Sequence, residues 1–312
     1  MAVLEIQEIA MPLSELNQRY AIANHVQFKV GEGGLAMAEI SNAHATARIA
    51  LQGAHLMTWQ PLGQAPVIWL SKFAKFAPGK SIRGGVPICW PWFGAHATDS
   101  KLPGHGFART VMWEVLETKA MPDGGTYLRF GLIETDATRA QWPHPCSVQI
   151  EFTIGKTLHI KLVTRNIGAH PFTLGEALHT YFHISDVGHM TIRGMENCDY
   201  MDKAGGASEL KKQMNGIKIE SEVDRVYMNT TADCVIKDRG LQRVIRIAKQ
   251  GSNSTVVWNP WTEKADKMGD FGPEGHRGMV CVESANALDN VVTVEPGASH
   301  HLAVVYSVEA MD

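Results

Sequence analysis

No stretch of this 312-residue sequence approaches the ~18 consecutive apolar residues of a membrane-crossing helix, so no membrane role is expected. Neither charge sign dominates: 29 Lys and Arg stand against 32 Asp and Glu, a net −3, with no basic surplus to track a nucleic-acid backbone. The first thirty residues carry Glu5, Glu8 and Glu15 and lack the unbroken apolar segment of a secretion signal, which predicts a cytoplasmic protein. Cysteine is scarce and scattered. Cys89, Cys146, Cys198, Cys234 and Cys281 are odd in number and form no C-x-x-C pair, which argues against a disulfide framework and a zinc site. Nucleotide binding and serine hydrolysis lack their usual signatures too. There is no P-loop, no G-x-S-x-G elbow, and no helical pattern after GEGG at 31–34.

What is present is a globular composition, 45% hydrophobic and 20% charged, ample for a large core. Alternation is the clearest local signal. Val148, Ile150, Phe152 and Ile154 alternate with polar neighbours, and Leu158, Ile160 and Leu162 resume after Gly155 and Lys156, which predicts a β-hairpin. Further strands are expected at 126–133, 242–248, 255–258 and 302–308. Helical periodicity is confined to 13–22, behind Pro12, and to 208–214, and no β-then-helix rhythm points to a parallel sheet. The class is therefore all-β. With 29 glycines and 14 prolines spread along the chain, no linker divides residues 1–312 into domains.

The strand rhythm breaks between Lys72 and Arg109, a Gly-, Pro- and Trp-rich stretch that reads as ordered loops over a sheet mouth. It holds Lys72, Lys75, Lys80, Arg83, Lys101 and Arg109 against Asp99 alone, a local net of +5 suited to a small anion. The same lysines also fit ordinary solvated loop charges. Arginine has the planar fork that grips a phosphate through paired hydrogen bonds, so Arg83 and Arg109 are the favoured anion ligands.

In GEALHTYFHISD, His179, Tyr181 and His183 share parity and on a strand face one way. Metal binding there has no third ligand at a recognisable spacing and no helix-borne H-E-x-x-H, so an acid–base histidine is the better functional reading. A hydrogen-bonded core or surface histidine fits at least as well from sequence alone. Glu283 lies in MVCVESAN, where 279–282 read as a strand about to leave its sheet. A carboxylate at that apolar strand end is either exposed or used, and burial would raise its pKa while nearby arginines would lower it. Asp224, in EVDRVY, reads by itself as a turn residue or half of an ion pair. Of the eight tryptophans, two or three are expected against a sugar face.

Six strings, in this order, resemble the aldose 1-epimerase superfamily and within it the glucose-6-phosphate 1-epimerase, or hexose-6-phosphate mutarotase, branch. They are GAHLMTWQP, SIRGGVPICWPWFG, LPGHGFART, ALHTYFHISD, VWNPWTEKADKMGDF and VCVESAN, spread over most of the chain. The resemblance implies a large antiparallel β-supersandwich, galactose mutarotase-like, with a few short helices and a sugar cleft across one sheet. It implies His179 of LHTYF as general acid and Glu283 of VCVE as general base. Arg83 of IRGG and Arg109 of HGFAR match the branch's phosphate- and sugar-binding arginines. His105 matches a substrate-contacting histidine, and Asp224 the acidic residue that binds sugar hydroxyls. Gly104 stands where some members carry a polar amide, so one substrate contact is missing or replaced by water.

The reaction implied is exchange of the α and β anomers of a hexose 6-phosphate, with no cofactor and no metal, in a monomer. Three rivals stand beside it. A mutarotase for free aldoses conflicts with the two arginines and the +5 loop. A non-catalytic carbohydrate-binding β-sandwich would need neither His179 nor Glu283 to react. A glycoside hydrolase wants two carboxylates flanking the bond, where the sequence offers one opposite a histidine.

Overall fold

Alternating burial along antiparallel strands sets the architecture of residues 11–311, the part that the computed structural model describes; Glu5 and Glu8 of the leader reading lie outside it. Two eight-stranded sheets face each other. The first runs in the order Met190–Arg193, Cys234–Asp238, Arg243–Gln250, Ser299–Ala310, Leu158–Asn166, Cys146–Ile154, Thr126–Leu132 and Trp113–Ala120. The expected hairpin is part of it, with Ile150 opposite Leu162 and Phe152 opposite Ile160. Every second side chain of that pair is buried, and each fully buried Leu, Ile or Phe contributes about 1.5–3 kcal/mol.

The second sheet runs Glu209–Lys212, Asp199–Asp202, Val223–Tyr227, Ser254–Asn259, Met279–Asn286, Glu176–Leu178 and Ile88–Cys89, with Tyr181–His183 also paired to Met279–Asn286. Its inner face meets the first sheet. The Thr180 and Tyr306 hydroxyls are 2.6 Å apart, and Phe182 meets the Tyr306 ring edge-on at 5.0 Å. One buried apolar cluster runs from Leu16 to Tyr306 through both sheets. A four-stranded meander spanning Val26–Val30, Ala36–Ser41, Ala45–Ala50 and His55–Pro61 packs into the same cluster.

Helices are few and short: α1 Leu13–Tyr20, α2 Asp136–Gln141 and α3 Trp261–Met268. The first follows Pro12, as its periodicity predicts. The second expected helix is not formed. Residues 208–214 contain the strand Glu209–Lys212, exposed along its whole length and paired with Asp199–Asp202. Leu210 and Met214 imitate helical spacing there, and an edge strand exposed on both faces has no alternation to contradict them. Ion pairs across the ladder, Lys211 to Asp202 at 2.9 Å and Lys212 to Asp199 at 3.2 Å, accompany it. No helix among the described residues is long and apolar enough to cross a membrane.

Candidate active site

The outer face of the second sheet forms the floor of a cleft of about 340 Å³. Ladder register decides which residues meet there. Asp224 lies opposite Trp258, Trp258 opposite Cys281, and Cys281 opposite Tyr181. Two residues along the strands, Val226 lies opposite Val256 and Val256 opposite Glu283. The intervening Val257, Val280, Val282 and Phe182 point the other way, into the shared core. A period of two, repeated on strands in register, thus gathers residues that are distant in sequence.

Glu283 sits within the Met279–Asn286 strand and is 1% exposed, not at a strand end leaving the sheet. Every residue of that strand is buried because the core covers one face and the cleft walls the other, so the sequence shows no alternation. The carboxylate Oε1 lies 3.3 Å from His179 Nε2. His179 is held by its backbone N–H, which donates to the Pro87 carbonyl at 3.0 Å, and its ring stacks on Tyr181 at 5.0 Å. Burial drives the Glu283 carboxyl well above its usual 4.5, Asp224 adding to the push and Arg109 opposing it. Burial drives the His179 imidazole well below 6.5, helped by His105 and Arg109. Both shifts favour the uncharged carboxyl and the uncharged imidazole. Glu283 Oε2 and His179 Nδ1 are buried with no hydrogen-bond partner among the described residues, and buried polar atoms of that kind suit a ligand's hydrogen bonds.

The Cys281 thiol stands beside the pair. Burial and Glu283 push it well above 9.0. Ligand atoms of His179, Cys281 and Glu283 all lie within 4.8 Å of one another, a nitrogen, sulfur and oxygen set of the types zinc accepts. Sequence spacing hides this set, since His179 comes from a different strand region than the other two.

His105 and two arginines build the walls. His105 has φ 66, its N–H donates to Gly94 O at 2.6 Å, and its Nδ1 accepts from Gly94 N–H at 3.2 Å. An accepting Nδ1 leaves the proton of the neutral ring on Nε2. Burial, then Arg109 and Lys203, pull this imidazole down to about 3, so it is an uncharged donor at neutral pH. The adjoining Gly106 is obligatory: at φ 69, a Cβ would sit 1.9 Å from the Trp90 carbonyl oxygen. Arg83 donates from Nε to Asp270 Oδ1 and from Nη1 to the Tyr181 hydroxyl, both at 3.0 Å, and lies 5.6 Å over the Phe271 ring. Arg109 donates from Nη2 to Gly104 O at 2.8 Å.

The aldose 1-epimerase family model matches residues 37–307. The chain belongs to the aldose 1-epimerase family. This epimerase is 36% identical over 262 residues to the Escherichia coli (strain K12) protein named "Putative glucose-6-phosphate 1-epimerase", a match covering 84% of this chain and 86% of that one. The crystal structure of a "putative mutarotase" from Salmonella typhimurium superposes with a TM-score of 0.87 at 32% identity, covering 93% of this chain and 96% of that one. A galactose mutarotase related enzyme from Lactobacillus acidophilus, 13% identical, covers 88% of this chain and 98% of its own with a TM-score of 0.70 and shares the fold. The two facing sheets are the galactose mutarotase-like β-supersandwich expected from the motifs.

All six residues singled out in the sequence, His179, Glu283, Arg83, His105, Arg109 and Asp224, line the one cleft of this epimerase described above. His179 and Tyr181 share the cleft face as their parity predicts, whereas His183 is not among the residues that line it. Asp224 lies in the Val223–Tyr227 strand and not in a turn, and it makes no ion pair among the described residues. Burial raises its pKa, with Lys264 and Lys203 opposing. Of the six loop cations only Arg83 and Arg109 reach the cleft; Lys72, Lys75, Lys80 and Lys101 are exposed outside it, solvated as their alternative reading held. Trp258 is the single tryptophan of the lining, where two or three were expected; Trp69 stacks behind Tyr181 at 5.8 Å. Lys203 stands in no motif and carries no sequence signal, while Asp270 lies inside the VWNPWTEKADKMGDF string, where nothing local marks it as the partner of Arg83.

Proposed function

We propose that this epimerase interconverts the α and β anomers of hexose 6-phosphates, with glucose 6-phosphate the substrate to test first. The observation that carries the reading is the 3.3 Å contact between His179 Nε2 and Glu283 Oε1 on the floor of a cleft walled by Arg109. The name borne by the Escherichia coli relative supports the phosphorylated substrate. Glu283 removes the C1 hydroxyl proton while His179 delivers a proton to the ring oxygen. The bond from C1 to the ring oxygen breaks and C1 becomes an aldehyde carbon. The open chain turns about its C1–C2 bond, and reclosure runs both transfers backwards, so no proton is gained or lost overall. Each positioned acid or base contributes on the order of 10²–10⁴-fold.

Ring opening leaves Glu283 protonated and His179 neutral, the forms that burial favours. The closed sugar needs carboxylate and imidazolium, one proton transfer away across the contact. Arg109 stabilises the carboxylate, and the dianionic phosphate of a bound substrate stabilises the imidazolium. His105 donates and Asp224 accepts at sugar hydroxyls, while cationic side chains hold the phosphate and set substrate choice. The continuous cluster from Leu16 to Tyr306 supports reading the chain as one catalytic domain.

The test is anomer exchange followed by NMR saturation transfer on glucose 6-phosphate, glucose and galactose, with wild type, Glu283→Gln and His179→Ala. Acceleration of the sugar phosphate, lost in both variants, is expected. Equal acceleration of the free sugars would assign the chain to free-aldose mutarotation, and binding without exchange would make it a carbohydrate-binding module.

A further inference from the structure

Four cations line the cleft, Arg83, Arg109, Lys203 and Lys264, and two are already matched by carboxylates. Arg83 Nε is 3.0 Å from Asp270 Oδ1, and Lys264 Nζ is 2.7 Å from Glu222 Oε1. Arg109 and Lys203 make no ion pair among the described residues. Both act on the same wall: after burial, theirs are the charges that depress the His105 imidazole, and Arg83 is not among them; at His179 Arg109 acts ahead of Arg83, and at Tyr181 Arg83 acts without either. The Lys203 main chain is anchored to the floor, its N–H donating to the Asp224 carbonyl at 2.7 Å just before the turn Ala204–Gly206. Asp224 is the carboxylate that faces it, and Asp202 beside it is occupied by Lys211 at 2.9 Å. Arg109 and Lys203 are both half-buried and line the same cleft, where a bound dianion supplies a counterion to both.

The geometry points to Lys203 as a specificity-determining residue that closes with Arg109 on the 6-phosphate across His105, leaving Arg83 chiefly to position Tyr181 against His179. The assignment rests on the sugar-phosphate reading above. It divides the cations by what each is free to do. Arg109 has one donor on Gly104 O and the rest of its fork open, and Lys203 supplies a compact charge from the opposite strand region. Arg83 has two of its three nitrogens committed to Asp270 and the Tyr181 hydroxyl, and the Tyr181 ring lies 5.0 Å from that of His179.

The experiment compares wild type, Lys203→Met and Lys203→Arg in anomer exchange of glucose 6-phosphate, with inorganic phosphate as competing anion. Loss of one charge-assisted contact predicts that Lys203→Met raises KM about tenfold or more, with kcat within about threefold of wild type. Inhibition by inorganic phosphate weakens in proportion, and Lys203→Arg restores both. Unchanged KM and unchanged phosphate inhibition in Lys203→Met overturn the assignment. So does a fall in kcat at constant KM, the result of merely loosening Asp224. Failure of the underlying reading looks different: a wild type that accelerates glucose as well as glucose 6-phosphate and ignores inorganic phosphate has no phosphate site to share.

Discussion

Replacing Glu283 by glutamine keeps the shape of the side chain and removes its proton chemistry, and two consequences of opposite sign follow. Anomer exchange falls by about 10²–10⁴-fold, equivalent to about 3–5 kcal/mol of barrier, because the amide cannot take the C1 hydroxyl proton. Stability rises. The wild-type carboxyl is 1% exposed and its folded pKa lies well above 4.5, so the folded form holds a proton that the unfolded chain releases. A group raised in this way favours folding fully below 4.5 and loses that contribution as pH climbs towards the folded value. Each pH unit inside the window costs about 1.4 kcal/mol. As pH rises from about 5 towards the folded value, the wild type gives up a contribution that Glu283→Gln keeps, on the order of 2 °C in Tm per pH unit for a chain of 312 residues. Groups common to both proteins cancel in the difference between the two Tm-versus-pH curves, which isolates Glu283. The assay is thermal unfolding of both proteins at three pH values alongside NMR exchange. Curves that run parallel across this range, or exchange within tenfold of wild type, refute the buried neutral base.

Three further outcomes are expected. Tyr181→Phe keeps the ring on His179 but removes the 3.0 Å bond from Arg83, so stability drops by about 1–2 kcal/mol and kcat by less than about tenfold. A hundredfold fall in kcat would make the Tyr181 hydroxyl a proton carrier in its own right. Gly106→Ala forces a Cβ to 1.9 Å from the Trp90 oxygen at a positive φ and costs more than about 2 kcal/mol in urea unfolding, with the His105 wall displaced. His55, buried beneath Gly84 and pulled down to about 4, contributes stability that is complete above 6.5 and lost as pH falls towards the folded value. The loss is about 3 kcal/mol, and a His55→Asn variant whose acid limb has the same slope as wild type would contradict it.

Several features were legible because they are local. Strand alternation through 146–166 and 302–308 survives in sequence because one face of each strand meets the core and the other meets water or a different layer. The shared parity of His179 and Tyr181 needs nothing beyond a period of two, and the structure puts both on the cleft face. Local signals failed where both faces of a strand have the same surroundings. Met279–Asn286 is buried on both, which concealed the depth of Glu283, and Glu209–Lys212 is exposed on both, which let a helical spacing pass for a helix. Lys203 was invisible, and Asp270 stood unmarked inside its motif string, because a charged residue gains meaning only from what stands opposite it in space.

The order of residue types by itself determined the all-β class, the family and the histidines, acids and arginines worth watching, since alternation and motif are properties of neighbours along the chain. Tertiary structure alone decided that Glu283 touches His179, that Arg83 is taken up by Asp270 and Tyr181, and that Arg109 and Lys203 make no ion pair among the described residues. Those distances come from ladder registers between strands remote in sequence. The charge each group carries is set by burial and by its neighbours in space, not by its residue type.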